Sequence, residues 1–295
     1  MSVTQERLER FEANRPRLFG LAYRLLGEAS EAEDMVQDAY LRWERSDTAV
    51  SPEAWLTKVV TNLCLNRLTS ARARRENYVG TWLPEPVFTD GGALGPQETV
   101  EQRESLSLGM LMLLERLTPP ERAAFVLREA FGHSHREIAE ILDLDEPHAR
   151  QLYHRAQQHI GAARRRFVAT PEQRRKLLER FLEATLDGDV PSLERMLAED
   201  VVAWSDGGGK ADAFPRPVVG REKFLRVLRG MVRHPEWNRV TVGTFRTVNS
   251  EPAIVFHVDG RPYAVVVPEF DGDRITAFYS VANPDKLALF TKQTM

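Results

Sequence analysis

The chain of 295 residues carries 42% apolar and 28% charged side chains. That is too apolar for a disordered polymer, and the length suits about two domains at ~150 residues each. Forty basic residues against 43 acidic ones leave a net charge of -3, which excludes a wholesale basic protein but not one whose cations gather in a local patch. The one cysteine, Cys64, excludes an internal disulfide and a cysteine-cluster metal centre, and its apolar setting predicts a buried thiol. The start Met1-Ser2-Val3-Thr4-Gln5-Glu6 lacks a signal-peptide pattern and no run reaches 18 apolar residues, so a cytoplasmic chain without a membrane span is expected.

Phe11, Leu18, Leu21, Ala22, Leu25 and Leu26 form one helical stripe that stops at Gly27. Ser30 with Glu33 predicts a capping box for a second helix through Met35, Val36, Ala39, Tyr40 and Trp43. Ser51-Pro52-Glu53 opens a third, long helix that ends among Arg67, Arg72, Arg74 and Arg75. Residues 79–103 lose the helical period and read as a linker. Trp82-Leu83-Pro84-Glu85-Pro86 is too apolar to be left in water there, so docking on another surface is expected.

From 104 to 168 the helical period returns. Ser134 and Glu137 cap a short helix, Asp143-Leu144-Asp145 is a turn, and Glu146-Pro147 restarts a second helix with Ala149, Leu152, Tyr153 and Ala156 inward. Two short helices with a tight turn describe a helix-turn-helix. Its second helix offers His148, Arg150, Gln151, His154 and Arg155 to phosphates or base edges. Residues 146–176 hold eight basic side chains against two acidic, a local net of +6, whereas 79–145 carry -7. Five of the seven histidines fall between His133 and His159, but not at one-face spacing, so no metal site is expected.

Residues 172–295 read as an α+β domain: helices over 172–186 and 190–197, then strands over 240–245, 253–258, 263–268 and 275–280 with Asp-Gly turns. Candidate proton-transfer groups there are Asp206, His257, Asp259 and Tyr279; the Asp-Gly turn explains Asp259, and neither a catalytic residue nor a cofactor is expected. Asp206-Gly207-Gly208-Gly209-Lys210 spends backbone entropy on three glycines, as a close approach to another surface requires.

The first 78 residues resemble region 2 of an extracytoplasmic-function RNA polymerase sigma factor. The resemblance lies in Ala32-Glu33-Asp34-Met35-Val36-Gln37-Asp38-Ala39-Tyr40-Leu41-Arg42 and in the long helix from Pro52 to Asn66. Leu117-Thr118-Pro119-Pro120-Glu121-Arg122 and the helix-turn-helix resemble region 4. The resemblance implies core-polymerase contacts (β and β′ subunits) by Glu33, Asp34, Asp38 and Arg42. It implies −10 DNA contacts by Asn62, Asn66, Arg67, Arg72, Arg74 and Arg75, with the loop Glu44–Val50 beside them. Contacts to the −35 element would come from the second helix of the helix-turn-helix.

Three further pieces, Trp82-Leu83-Pro84, Asp206-Gly207-Gly208-Gly209-Lys210 and Asn283-Pro284-Asp285-Lys286-Leu287, resemble a subgroup with a fused SnoaL-like domain. In that reading residues 172–295 form an NTF2-like cone of helices against a curved antiparallel sheet. The three pieces form a regulatory interface that makes a separate anti-sigma factor unnecessary, and a small ligand in the cone's pocket is a further candidate partner. The resemblance implies a stress-responsive initiation factor with promoter DNA and core polymerase as partners. A stand-alone ligand-responsive DNA-binding regulator and a SnoaL-like enzyme with a helical targeting module are the alternatives.

Overall fold

A computed structural model describes residues 3–46, 51–89, 105–161, 170–234, 237 and 239–288. The chain divides into two compact units: residues 1–77 with 91–162, and residues 78–90 with 163–295.

The first unit is helical. Helix α1 (Val3–Leu26) ends at Gly27, whose φ of 70° turns the chain. Helix α2 (Ala29–Glu44) starts directly after that turn with Glu28 at its cap, so Ser30 lies inside the helix rather than capping it. Helix α3 (Pro52–Glu76) begins at the expected proline. Leu18, Leu21, Tyr23, Leu25, Val36, Leu56 and Cys64 are buried in this core, and burial pushes the Cys64 thiol far above its ordinary value. Among the described residues four more helices follow: α4 (Leu108–Leu114), α5 (Pro119–Glu129), α6 (His135–Leu142) and α7 (Glu146–Ile160).

The second unit places α8 (Pro171–Asp187) and α9 (Val190–Met196) before β1 (Leu197–Asp206) and β2 (Val218–Val219). Helix α10 (Arg221–Arg233) follows, then β3 (Val240–Val248), β4 (Glu251–Val258), β5 (Arg261–Asp271) and β6 (Arg274–Val281). The three helices cover one face of the sheet, where Phe278 lies 4.9 Å ring to ring from both Phe181 and Phe224. Two hairpins turn on paired positive φ angles, Asn249-Ser250 and Asp259-Gly260, which suits the right-handed strand twist.

The expected cone is not formed. The strand order is β2-β1-β6-β5-β4-β3, so β2 and β3 are opposite edges that never meet and the sheet stays open. Nor is the sheet wholly antiparallel, because its inner pair β1–β6 runs parallel. A sheet closes only when its edges can pair. Here one edge is a two-residue strand, and aromatic rings fill the space between sheet and helices.

Three elements lie outside the expected set: β1, β2 and α10. In β1 the polar pair Glu199-Asp200 falls at a shift of register between Leu197 and Val202, which breaks the alternation that betrays a strand.

Candidate nucleic-acid interface and the meeting of three motifs

The helix-turn-helix is built from caps. The Ser134 hydroxyl and the Glu137 carboxylate cap α6 reciprocally; Asp143 ends that helix at a φ of 54°; and the Asp145 carboxylate accepts from the His148 amide at 2.8 Å to start α7. Such caps satisfy amides that the first turn leaves unpaired. Ala149, Leu152 and Ala156 are buried, and His148, Arg150, Gln151, His154 and Arg155 are all exposed. Arg150 pairs with Glu146 at 2.8 Å, and His154 meets Gln158 at 3.1 Å. The helix thus presents one hydrophilic face that can enter a groove.

On α2, Asp34, Asp38 and Arg42 are exposed, and Glu33 pairs with Arg15 at 3.0 Å. On α3, Asn66 is exposed and Asn62 half-buried. Arg67 instead reaches Glu31 at 2.7 Å, whose carboxylate holds the guanidinium even more firmly protonated. Arg75 is half-buried, donates to the Leu26 carbonyl and pairs with Glu28 and Glu115. The side chains of Arg72 and Arg74, residues 47–50 of the −10 loop, and the basic run Arg164–Arg166 lie outside the described residues.

Within the helical unit α1–α3 and α4–α7 are tied together by cations. Arg24 donates to the Ser105 hydroxyl at 2.7 Å, Arg122 to the Leu25 carbonyl at 2.7 Å, and Lys58 of α3 to the Glu140 carbonyl at 2.9 Å and the Asp143 carboxylate. His133 sits beneath this seam with its Nε2 buried and without a partner. Burial, then Arg17, depress its pKa.

In the second unit the three quoted motifs converge on one carboxylate. Asp206, fully buried at the end of β1, accepts from the Tyr78 hydroxyl at 2.5 Å, the Leu83 amide at 2.8 Å, the Gly208 amide at 3.0 Å and the Lys286 ammonium at 2.7 Å. Its own carbonyl accepts from the Ala282 and Asn283 amides. Lys286 also donates to the Leu83 carbonyl, and its ammonium lies 4.4 Å from the Trp82 ring and 4.9 Å from the Tyr78 ring, where ring faces attract a cation. The Asn283 amide donates to Tyr78 at 2.7 Å, and Lys210 pairs with Asp285 at 2.5 Å. Burial and the neighbouring carboxylate hold the Tyr78 phenol well above its ordinary pKa.

The glycines have a local reason. A Cβ on Gly207 would stand 2.2 Å from the Ala211 carbonyl oxygen, and one on Gly208 would stand 2.3 Å from the Asn283 side chain. A Cβ on Gly209 would press on Val79 at 3.3 Å. Leu83, Pro84, Glu85 and Pro86 are buried, and Leu287 closes the site from the far end of the chain. Phe88 then bridges to Val248 at the β3 edge; the Asn249 backbone amide donates to the Val87 carbonyl at 2.9 Å, and the Val87 amide donates to the Asn249 side-chain Oδ1 at 3.1 Å. Tyr78 and Asn249 are the participants that sequence reasoning missed; an aromatic two residues before Gly80, at the start of the linker, was the available signal for the first.

Of the other titratable candidates, Asp259 pairs with Arg239 at 2.8 Å and Tyr279 donates to Glu269 at 2.8 Å, while His257 lies half-buried on β4. An open depression of about 400 Å³ is lined by Gly209, Lys210, Ala211, Asp212 and Tyr263. Among the described residues no group of three His, Cys, Asp or Glu side chains is placed to hold a metal ion. Among them too, no helix is long and apolar enough to cross a membrane.

Known proteins match both units. The Sigma-70 region 2 family matches residues 10–74, and the Sigma-70, region 4 family matches residues 107–160. The ECF RNA polymerase sigma factor SigJ of Mycobacterium tuberculosis is 38% identical over 286 residues, covering 94% of this chain and 91% of the relative. SigI of the same organism is 32% identical over 286 residues, covering 94% and 93%. The crystal structure of M. tuberculosis SigJ superposes with a TM-score of 0.77 at 32% identity, over 95% of this chain and 98% of that one. With a helix-turn-helix at one end of its helical unit and likeness over nearly its whole length, the chain belongs to the extracytoplasmic-function sigma factors of RNA polymerase.

Proposed function

We propose that this sigma factor recruits core RNA polymerase to promoters through its helical unit and that its C-terminal unit sets how far that unit can open. Family membership makes it a transcription initiation factor and not an enzyme. In the proposal Asp34, Asp38 and Arg42 meet the polymerase, Asn62 and Asn66 face the −10 element, and Gln151, His148, His154 and Arg155 face the −35 element. Arg67 and Arg75 join them only by giving up their present carboxylate partners.

Geometry supplies the reason for regulation. Elements 25 base pairs apart lie about 85 Å apart on a duplex rising 3.4 Å per pair. A compact unit of this size has a radius of gyration of about 15 Å. The two helical halves must therefore part to read both elements, breaking the Lys58, Arg24 and Arg122 ties. The polypeptide joining the halves runs through residues 78–90, the stretch held around Asp206. Each residue held there is removed from the tether and changes the effective concentration of one half near the other. That anchoring is the observation that carries the reading. A fused unit that holds the tether does the work of a separate anti-sigma subunit, and the open depression beside Lys210 is where a small ligand would bias it.

The experiment is transcription with purified core polymerase on a promoter from a neighbouring gene, using the full chain, the Asp206→Ala variant and a chain stopped before Asn283. Promoter-specific RNA is expected from the full chain, with altered yield and retained polymerase binding for the other two. Equal output from all three would overturn the regulatory part. Absence of promoter-specific RNA from every form, on a promoter active in cells, would favour a stand-alone regulator.

A further inference from the structure

Helix α10 is amphipathic in an unusual way. Phe224, Leu225 and Leu228 are buried against the sheet, and the opposite face is almost wholly cationic. Lys223, Arg226, Arg229 and Arg233 are all exposed. At 3.6 residues per turn they fall within about a third of the circumference, with Arg226 and Arg233 at its centre. Arg221, at the buried margin, is the one that is engaged, reaching the Glu194 carbonyl at 3.1 Å and Glu199 at 3.8 Å. The four exposed cations have no ion pair among the described residues, and Glu222, exposed within the same arc, is the one acidic side chain on the helix, leaving a local excess of three positive charges.

Nothing among the described residues of the unit explains this concentration. Four like charges on one helical face repel one another, and i,i+4 placement of like charges costs a few tenths of a kcal/mol per pair. Gly230 lies on the same face, between its centre and Lys223. A Cβ there would meet nothing within 4 Å, so no packing demands glycine, although it weakens a helix by about 1 kcal/mol relative to alanine. A smooth spot flanked by long cations lets an extended anionic backbone lie close to the helix. Three of the four cations are arginines, whose planar fork suits phosphate oxygens.

We infer that the exposed face of α10, at Lys223, Arg226, Arg229 and Arg233, binds the phosphate backbone of duplex DNA outside the promoter elements. The inference rests on the sigma-factor reading, which brings a long polyanion to this chain; an acidic protein is the competing occupant. The contact reads charge and not sequence, because a guanidinium or ammonium group spent on a phosphate oxygen does not address a base edge. It gives the C-terminal unit a hold on DNA of its own.

The test compares the full chain with the R226Q/R229Q/R233Q variant and with an R261Q/R274Q control, which removes cations from hairpin ends of the same unit. Binding to a random-sequence duplex is measured across salt concentrations. Each phosphate contact contributes about 0.9 to the slope of log affinity against log salt. The triple variant should flatten the slope by about 2.7, so between 50 and 200 mM salt the unaltered chain loses about 40-fold more affinity than the variant. The control should keep the original slope. An unchanged slope in the triple variant, or an equal change in the control, overturns the inference, and the former result together with an acidic partner lost only by the triple variant assigns the face to that partner. Transcription with core polymerase is run alongside: no promoter RNA from the unaltered chain would sink the sigma-factor reading, whereas RNA with an unchanged salt slope sinks only the α10 contact.

Discussion

The Lys286 ammonium lies 2.7 Å from the Asp206 carboxylate, and both side chains are withdrawn from solvent. A pair of this kind contributes little net stability, because desolvation offsets attraction, but removing one partner strands a buried charge at a cost of about 3–5 kcal/mol. Lys286→Met is therefore expected to destabilise the C-terminal unit by about that amount. Asp206→Asn combined with Lys286→Met should recover part of the loss. Urea unfolding of the full chain, with the helical unit's transition as internal reference, measures both.

Gly208 and Gly260 provide a matched comparison. Both have positive φ, 58° and 75°, but only at Gly208 would a Cβ collide, at 2.3 Å from the Asn283 side chain. Gly260→Ala should cost about 1 kcal/mol of backbone strain. Gly208→Ala should cost visibly more and loosen residues 78–89. Thermal melts give the first result and protease sensitivity after Tyr78 gives the second.

Lowering the pH should loosen the helical unit through His133. Its folded pKa is depressed by burial and by Arg17, so the unfolded chain takes up a proton first, near the ordinary histidine value of about 6.5. Stability is complete above that pH and declines as pH falls toward the lower folded value. His133→Gln should flatten this decline in a pH series of unfolding midpoints; an equal decline in both proteins would assign it elsewhere.

On α7, Gln151 is exposed in the second turn of the helix, and glutamine matches the paired donor and acceptor of adenine. Gln151→Ala should cost about 1–3 kcal/mol and relax base preference at one −35 position. Arg155→Gln should weaken all promoters alike and reduce salt dependence. Transcription from a panel of −35 substitutions separates the two patterns.

The helical unit was largely legible because its signals are local. Ser134 with Glu137, Asp145 before Pro147 and Ser51 before Pro52 each act within one turn of chain, and the structure places helix ends at those residues. What escaped depends on distant partners. β1 owes its place to pairing with β6, some 75 residues on, and the openness of the sheet is decided by which strands lack a neighbour, which no local pattern records. The site at Asp206 was half legible. Its three motifs stood out by composition, but that they meet one another, with Tyr78, follows from hydrogen bonds across as many as 205 positions of chain.

That separation has a consequence in time. A ribosome adding about 10 residues per second takes about 20 s to pass from Tyr78 to Asn283. The helices through Ile160 are made well before Lys286 exists, so every newly made copy passes through an interval in which its tether is unheld. A cell that turns this protein over quickly keeps a larger share of its copies in that young state, in which residues 78–90 have not yet met Lys286.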